Sequence, residues 1–234
     1  MSRNLDTDYS RFKKEITKSS NNIIVIDSSN ESFFQKSHQA TYVIALFIEK
    51  LSNISVEENK IVFISEILSD FLTFYKLTLL GFYFPSMISI RRSIENFYNH
   101  VYFYDHSVEY FHLNHGKNDY TPIEEVKKYL LAHPVFIENS DGVIKEFCDY
   151  IFTEYHELCR IVHSKGSAYM NLASCLQELV TESDFKGTMK KVIKLQVYFI
   201  YILYKFHRNL KFSRTEKDLI VEIIPRNKRS SFNE

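Results

Sequence analysis

Five glycines and four prolines are the strongest chain breakers in 234 residues, and they are widely spaced. A chain so rarely interrupted folds most simply into long helices, because Gly and Pro are the residues that turn or terminate them. The intervals between breakers carry apolar residues every three or four positions, the period of a helix with one buried face. The spacing predicts a polar amphipathic helix over 5–19 and an extended connection over 21–30, where Ile23 to Ile26 is the strand-like run. A helix over 31–52 follows, with Phe34, Ile44, Phe47 and Leu51 on its stripe. Ser55 and Glu58 have the spacing of a capping box and predict the start of a helix carrying Ile64, Phe71 and Tyr75, which Gly81 ends. Pro85 suits the first turn of the next helix, whose stripe runs through Met87, Ile90, Ile94, Phe97, Val101 and Tyr104.

Shorter helices are predicted at 107–115 and 122–132, and a long one from Val143 to Val162 that stops at Ser164-Lys165-Gly166. Residues 168–181 read as irregular or as a short helix. The most apolar stretch, Leu195 to Phe206, lies in a helix predicted over 185–211 and spans about a dozen residues, short of the roughly 20 that cross a bilayer. It reads as a helix buried on most sides. Thr215 and Asp218 are the expected cap of a last short helix ending at Pro225. The fold class expected is all-α, a single-domain helical bundle: an N-terminal helix and extended segment at 1–30, the helical domain at 31–225 and a polar tail at 226–234.

Charge excludes little and directs nothing, since 29 basic residues balance 29 acidic ones and any nucleic-acid binding would need a local patch. Two such clusters exist, Lys186, Lys190, Lys191 and Lys194, and Arg226, Lys228 and Arg229; solvated helix faces give the same pattern. The 16 tyrosines and 20 phenylalanines fit an aromatic core. Cys148, Cys159 and Cys175 lack paired spacing and read as reduced, buried thiols, and the polar N-terminus lacks the apolar run of a secretory signal, so a cytoplasmic protein is expected. No P-loop, GxGxxG, nucleophile elbow or HExxH occurs, and His112 with His115 lacks a third ligand, so neither cofactor nor metal is expected.

Polar residues within the apolar helices are the candidate chemistry. On the helix around 86–104, Arg92, Glu95, Asn96 and Asn99 form a polar stripe, and Arg91 reaches Glu95 at i+4. Charges set in such a helix imply a salt-bridged structural pair or a binding pocket. On the helix at 143–162, His156, Arg160 and His163 fall at i, i+4 and i+7, with Tyr155 beside them on the core stripe. They could converge on one ligand, although the helix dipole alone explains a histidine at that C-terminus.

The segment FYFPSMISIRRSIENFYNHVYFYDH, followed some fifty residues later by YHELCRIVHSKG, resembles the HEPN-like helical families of bacteria, in which an "LRS-x-x-E" helix precedes a "Y-x-x-L-x-x-x-VH" helix. The resemblance covers about residues 60–210; Arg91, Arg92 and Glu95 match the first element, and Tyr155, Leu158 and His163 the second. It implies a four-helix antiparallel core, homodimerisation, and a role in phage defence or toxin–antitoxin systems with an RNA or protein partner. Active members are metal-independent ribonucleases with an R-x(4–6)-H motif at the dimer cleft. On that implication His163 would serve as acid or base in 2′-OH attack on the phosphodiester, and Arg91, Arg92 or Arg160 would stabilise the phosphorane. The sequence departs from the motif: two residues separate Arg160 from His163 and seven separate Arg92 from His100. Three expectations follow: an RNA-binding or RNA-cleaving protein using Arg91, Arg92, Glu95 and His163; a non-catalytic sensor or accessory subunit binding a protein or nucleotide; and a structural homodimer in which the polar stripe is a satisfied buried network.

Overall fold

Helix ends follow the punctuation of the chain in the computed structural model, which describes residues 4–18, 22, 24–55, 57–116, 121–137, 142–165 and 185–229. Ten α-helices occur among them: α1 (Leu5–Thr17), α2 (Glu31–Ile54), α3 (Val62–Leu79), α4 (Tyr83–Asp105), α5 (Ser107–Asn114), α6 (Ile123–Ala132), α7 (Pro134–Ile137), α8 (Val143–Val162), α9 (Phe185–Phe206) and α10 (Arg214–Ile223). The molecule is all-helical, with no strand among the described residues. The extended connection lies against the end of α3, where the Ile24 amide donates to the Leu79 carbonyl at 3.1 Å, and Ile26 is buried.

The turn between α3 and α4 sets the geometry of the candidate site. Gly81 has a φ of 77°, its amide donates to the Thr78 carbonyl, and the Phe82 amide donates to the Leu77 carbonyl. These are the two reversed hydrogen bonds of a Schellman motif, which needs a residue free of a Cβ penalty at its left-handed position. So tight a turn lays α4 back along α3 in an antiparallel hairpin. Helix α4 then packs on α3, α6, α8 and α9, and α9 on α2, α4, α7 and α8. Every residue from Leu195 to Leu203 is buried, so that part of α9 is enclosed on all sides, while its first turns carry exposed lysines. Aromatic rings fill the space around it: Phe199 stacks on Phe97 with centroids 4.3 Å apart, and Tyr198 on Phe147 at 3.8 Å.

Several boundaries depart from the sequence reading. Ser55 and Glu58 form no capping box; the Ser55 hydroxyl accepts the Glu57 amide at 3.1 Å, a 3-10 turn spans Glu58–Lys60, and α3 begins at Val62. The tertiary reason is Asn59, which is buried and donates its side-chain amide to the Phe103 carbonyl of α4 at 2.8 Å. The last helix is capped by Ser213 and Glu216, two positions before the expected Thr215 and Asp218. Helix α9 ends at Phe206 rather than near 211, α1 at Thr17 rather than 19, and α7 adds one turn that the spacing did not predict. The segment 168–181 and Cys175 lie outside the described residues. No described helix is long and apolar enough to cross a membrane.

Candidate functional site

Successive residues on a helix point about 100° apart, so Arg91 and Arg92 face different neighbours. Arg91 and Glu95, one turn apart, face α8. Their side chains pair at 2.7 Å and are 21% and 26% exposed. The Arg91 Nε donates to the Cys159 Sγ at 3.4 Å, its Nη2 lies 3.4 Å from the Tyr155 hydroxyl, and that hydroxyl donates to the Glu95 carboxylate at 3.3 Å. The guanidinium also sits 5.5 Å from the Tyr155 ring centroid. Partial burial works against the Arg91 charge, but the Cys159 sulfur, the Tyr155 hydroxyl and the Glu95 carboxylate outweigh it, and its pKa is raised. Burial chiefly, with the Cys159 contact, pushes the Tyr155 phenol up, so it remains a protonated donor. Cys159 is half-buried rather than buried, whereas Cys148 is buried as expected.

Arg92 and Asn96 face α3. Arg92 pairs with Glu66 at 2.8 Å and lies 3.5 Å from Asp70; the Asn96 side-chain amide donates to the second Asp70 oxygen at 2.8 Å. Asp70 is buried, and the sequence reading missed it. The signal was present, since Asp70 occupies a position on the apolar stripe between Ile67 and Phe74, where a lone carboxylate is out of place. Burial pushes its pKa up to about 6, while Asn96 and Arg92 pull in the other direction.

Because the folded pKa lies above the usual carboxylate value, the Asp70 contribution to stability is fully present below about pH 4 and is lost as pH rises through about 6. Asp70→Asn is therefore expected to raise the unfolding free energy at pH 7 by about 2 kcal/mol, and by about half that at pH 5. Urea titrations of both proteins at the two pH values check this; equal stabilities at pH 7 would rule it out.

The remaining predicted residues do not join either cluster. Asn99 is half-buried on α4. On α8, His156 is 50% exposed and 3.8 Å from Glu124, and Arg160 is 54% exposed and pairs with Glu157 at 3.0 Å. His163 is the exposed C-terminal cap of α8, with its backbone amide donating to the Cys159 carbonyl. Its imidazole has no hydrogen bond or ion pair among the described residues. The expected meeting of Arg92, Glu95 and His163 is absent: Arg92 turns to α3, Glu95 to α8, and His163 to solvent. The polar stripe of α4 is instead divided between two neighbours.

Four members of the two basic clusters are engaged within the chain. Lys191 lies 3.7 Å from Glu154, Lys194 sits 3.8 Å from the Tyr150 ring centroid, Lys228 pairs with Glu146 at 2.6 Å, and Arg229 donates to the Glu222 and Ile224 carbonyls. Among the described residues, no group of three or more His, Cys, Asp or Glu is arranged to hold a metal ion. No protein-family model, no curated protein and no solved structure matches the chain.

Proposed function

We propose that this chain is a non-catalytic helical module of the HEPN-like kind, serving a bacterial defence or toxin–antitoxin type system by binding a protein partner or nucleotide rather than by cutting RNA. One observation carries this reading: Arg91 and Arg92, the cations of the motif helix, are both neutralised by carboxylates of their own chain, at 2.7 and 2.8 Å. A guanidinium so engaged would have to give up that pair before it could stabilise a phosphorane. His163, the acid or base of the nuclease reading, is exposed one turn beyond Cys159, and its imidazole makes no hydrogen bond or ion pair with either arginine. The Arg91, Glu95 and Tyr155 group is better suited to holding α4 and α8 in register, as partly buried, multiply bonded ion pairs do.

A ribonuclease reading keeps one favouring observation, the exposed line of His156, Arg160 and His163 along α8, which a second copy of the chain could complete in a homodimer. The two readings separate in one experiment. Total RNA incubated with the purified chain, without added metal and across a range of protein concentrations, is expected to remain intact. Cleavage by the wild type that His163→Ala abolishes, with the helical circular dichroism unchanged, would establish the nuclease instead.

A further inference from the structure

Helix α1 lies on the bundle without becoming part of its core. None of its residues is fully buried, and the face turned inward is the stripe Tyr9, Phe12 and Ile16, each partly covered. At 13 residues it is near the length below which a lone helix is marginal in water, so contacts with α2 and α3 are what keep it folded. Past the end of α1 the chain is pinned to α3 at Ile24, whose amide donates to the Leu79 carbonyl, and Ile26 is buried. Release of α1 can therefore stop there.

Rings make most of the docking. Phe12 packs edge-on against Tyr75 with centroids 5.4 Å apart and against His38 at 4.9 Å, and Tyr9 meets His38 edge-on at 5.2 Å. Two polar ties add to them. Lys13 pairs with Glu31 at 2.5 Å, and the Asp8 carboxylate lies 3.3 Å from the His38 Nε2. Burial lowers the His38 pKa and keeps the ring neutral, so the second tie is a hydrogen bond with no opposing charge behind it.

Each side of this interface also leaves a polar atom unsatisfied. The Tyr9 hydroxyl of α1 and the His38 Nδ1 of α2 are buried without a hydrogen-bond partner among the described residues. Burial, with the Glu31 charge, pushes the Tyr9 phenol up to about 12, so it is a donor that has lost water and gained no acceptor. Opening the interface rehydrates both atoms, which offsets part of what the rings lose. Packing beside α1 is open as well: a cleft of about 570 Å³ lies between the start of α1, α2 and α10, and one of about 480 Å³ between α1, α2 and α3, with Tyr42 bordering both. A close-packed interior leaves no gaps of that size.

We propose that α1 is a releasable strap over a helix-docking surface formed by α2 and α3, and that the occupant of this surface when α1 lifts is an amphipathic helix of a partner chain with the same stripe. Helix α1 itself shows what fits: rings at i and i+3 against His38 and Tyr75, an aliphatic side chain at i+7, and a cation next to the second ring to meet Glu31. In the closed state the tethered α1 holds the place at high effective concentration, and a partner has to compete with it. The inference supplies the protein-partner branch of the proposed function with a surface. It rests on no residue of α4 or α8, so RNA cleavage by the chain would overturn that reading and leave this one standing.

Two measurements on the full chain test it. In native-state hydrogen exchange, the amides from Tyr9 to Thr17 are expected to share one protection factor, at least about a hundredfold below that of α9, as a helix that opens as a unit requires. A labelled peptide of residues 4–18 then serves as the probe of the uncovered surface. It is expected to bind a Phe12→Asp variant at least about tenfold more tightly than the wild type, because the weakened α1 no longer competes in cis. Adding Ala45→Glu on α2, beneath α1, is expected to abolish that binding, and a peptide carrying Phe12→Asp is expected not to bind at all. Protection that equals that of α9 or falls off gradually toward one end, a peptide that fails to bind Phe12→Asp or binds it no better than the wild type, or binding that survives Ala45→Glu would each overturn the proposal. Loss of the cooperative thermal transition in Phe12→Asp would overturn it too, by making α1 part of the core.

Discussion

Gln196→Leu is expected to lower the unfolding free energy by about 3 kcal/mol, although the substitution roughly conserves volume and adds apolar surface to an apolar helix. Gln196 is fully buried on α9 and holds together a network reaching α2 and α3. Its carbonyl oxygen accepts from the Ser37 hydroxyl at 2.7 Å; its amide nitrogen lies 2.9 Å from the Thr41 hydroxyl, 3.0 Å from the Tyr75 hydroxyl and 3.3 Å from the Ser37 carbonyl. Ser37 and Thr41 also lie 2.7 and 2.6 Å from the Tyr75 hydroxyl. With the amide gone, three buried hydroxyls must share what remains.

Tyr75→Phe is expected to cost less, about 1 to 2 kcal/mol, because Ser37, Thr41 and Gln196 can still bond to one another. The two substitutions remove parts of one network, so their effects should fail to add by more than about 0.5 kcal/mol. Urea titration of the two single variants and the double variant measures all three quantities. A Gln196→Leu variant within about 0.5 kcal/mol of the wild type would mean that the network contributes little net stability.

Acidification should have an effect of similar size, through a buried pair of imidazoles. His100 on α4 and His207 just beyond α9 are 0% and 5% exposed, and their Nε2 atoms lie 2.8 Å apart. Tyr104, Phe206 and Phe47 surround the His207 ring. Burial pushes the His100 pKa down to about 3, and burial together with the neighbouring His100 pushes His207 well below its usual value. Both folded pKa values lie below the ordinary histidine value, so the unfolded chain binds protons first. The pair is therefore neutral with respect to pH above about 6.5 and loses stability as pH falls below it.

His100 alone should cost about 2 kcal/mol between pH 6.5 and 5, and His207 adds to that loss in the same direction. Asp70 acts in the opposite direction over the same interval, because its raised pKa favours the folded state as it protonates. The net loss expected for the wild type is at least about 1 kcal/mol, from His100 less Asp70, with His207 enlarging it. Urea titrations at the two pH values should show that loss, and in a His100→Leu/His207→Leu variant it should disappear, leaving the gain of about 1 kcal/mol that Asp70 contributes on acidification. An unchanged acid slope in that variant would assign the effect to other groups, of which His38, with its pKa also lowered by burial, is the next in line.

Much of the architecture was legible in the sequence. The run Leu195 to Phe206 read as a helix enclosed on most sides, and all of Leu195 to Leu203 is buried. The stripe through Met87, Ile90, Ile94, Phe97 and Val101 marked the inward face of α4, and each of these is buried. The candidate site was only half legible. The pairing of Arg91 with Glu95 follows from their i, i+4 spacing, and the approach of Tyr155 to them required only that α8 lie alongside α4. The supposed pocket of Arg92, Glu95 and His163 failed on a matter that spacing does not encode.

Periodicity determined by itself where helices run, which face of each is apolar, and which polar residues share a stripe, because all of these are properties of one helix and its 3.6-residue turn. Tertiary structure alone decided which neighbour stands at each angle around α4. It sent Arg92 and Asn96 to Asp70 on α3, sent Arg91 and Glu95 to Tyr155 on α8, and left His163 in solvent. It also turned three polar residues embedded in apolar stripes, Asp70, His100 and Gln196, into paired and bonded groups rather than isolated ones. A stripe position states that a side chain faces inward. Its partner is set by the packing of helices distant in sequence, and that packing is chosen by the fit of the whole core.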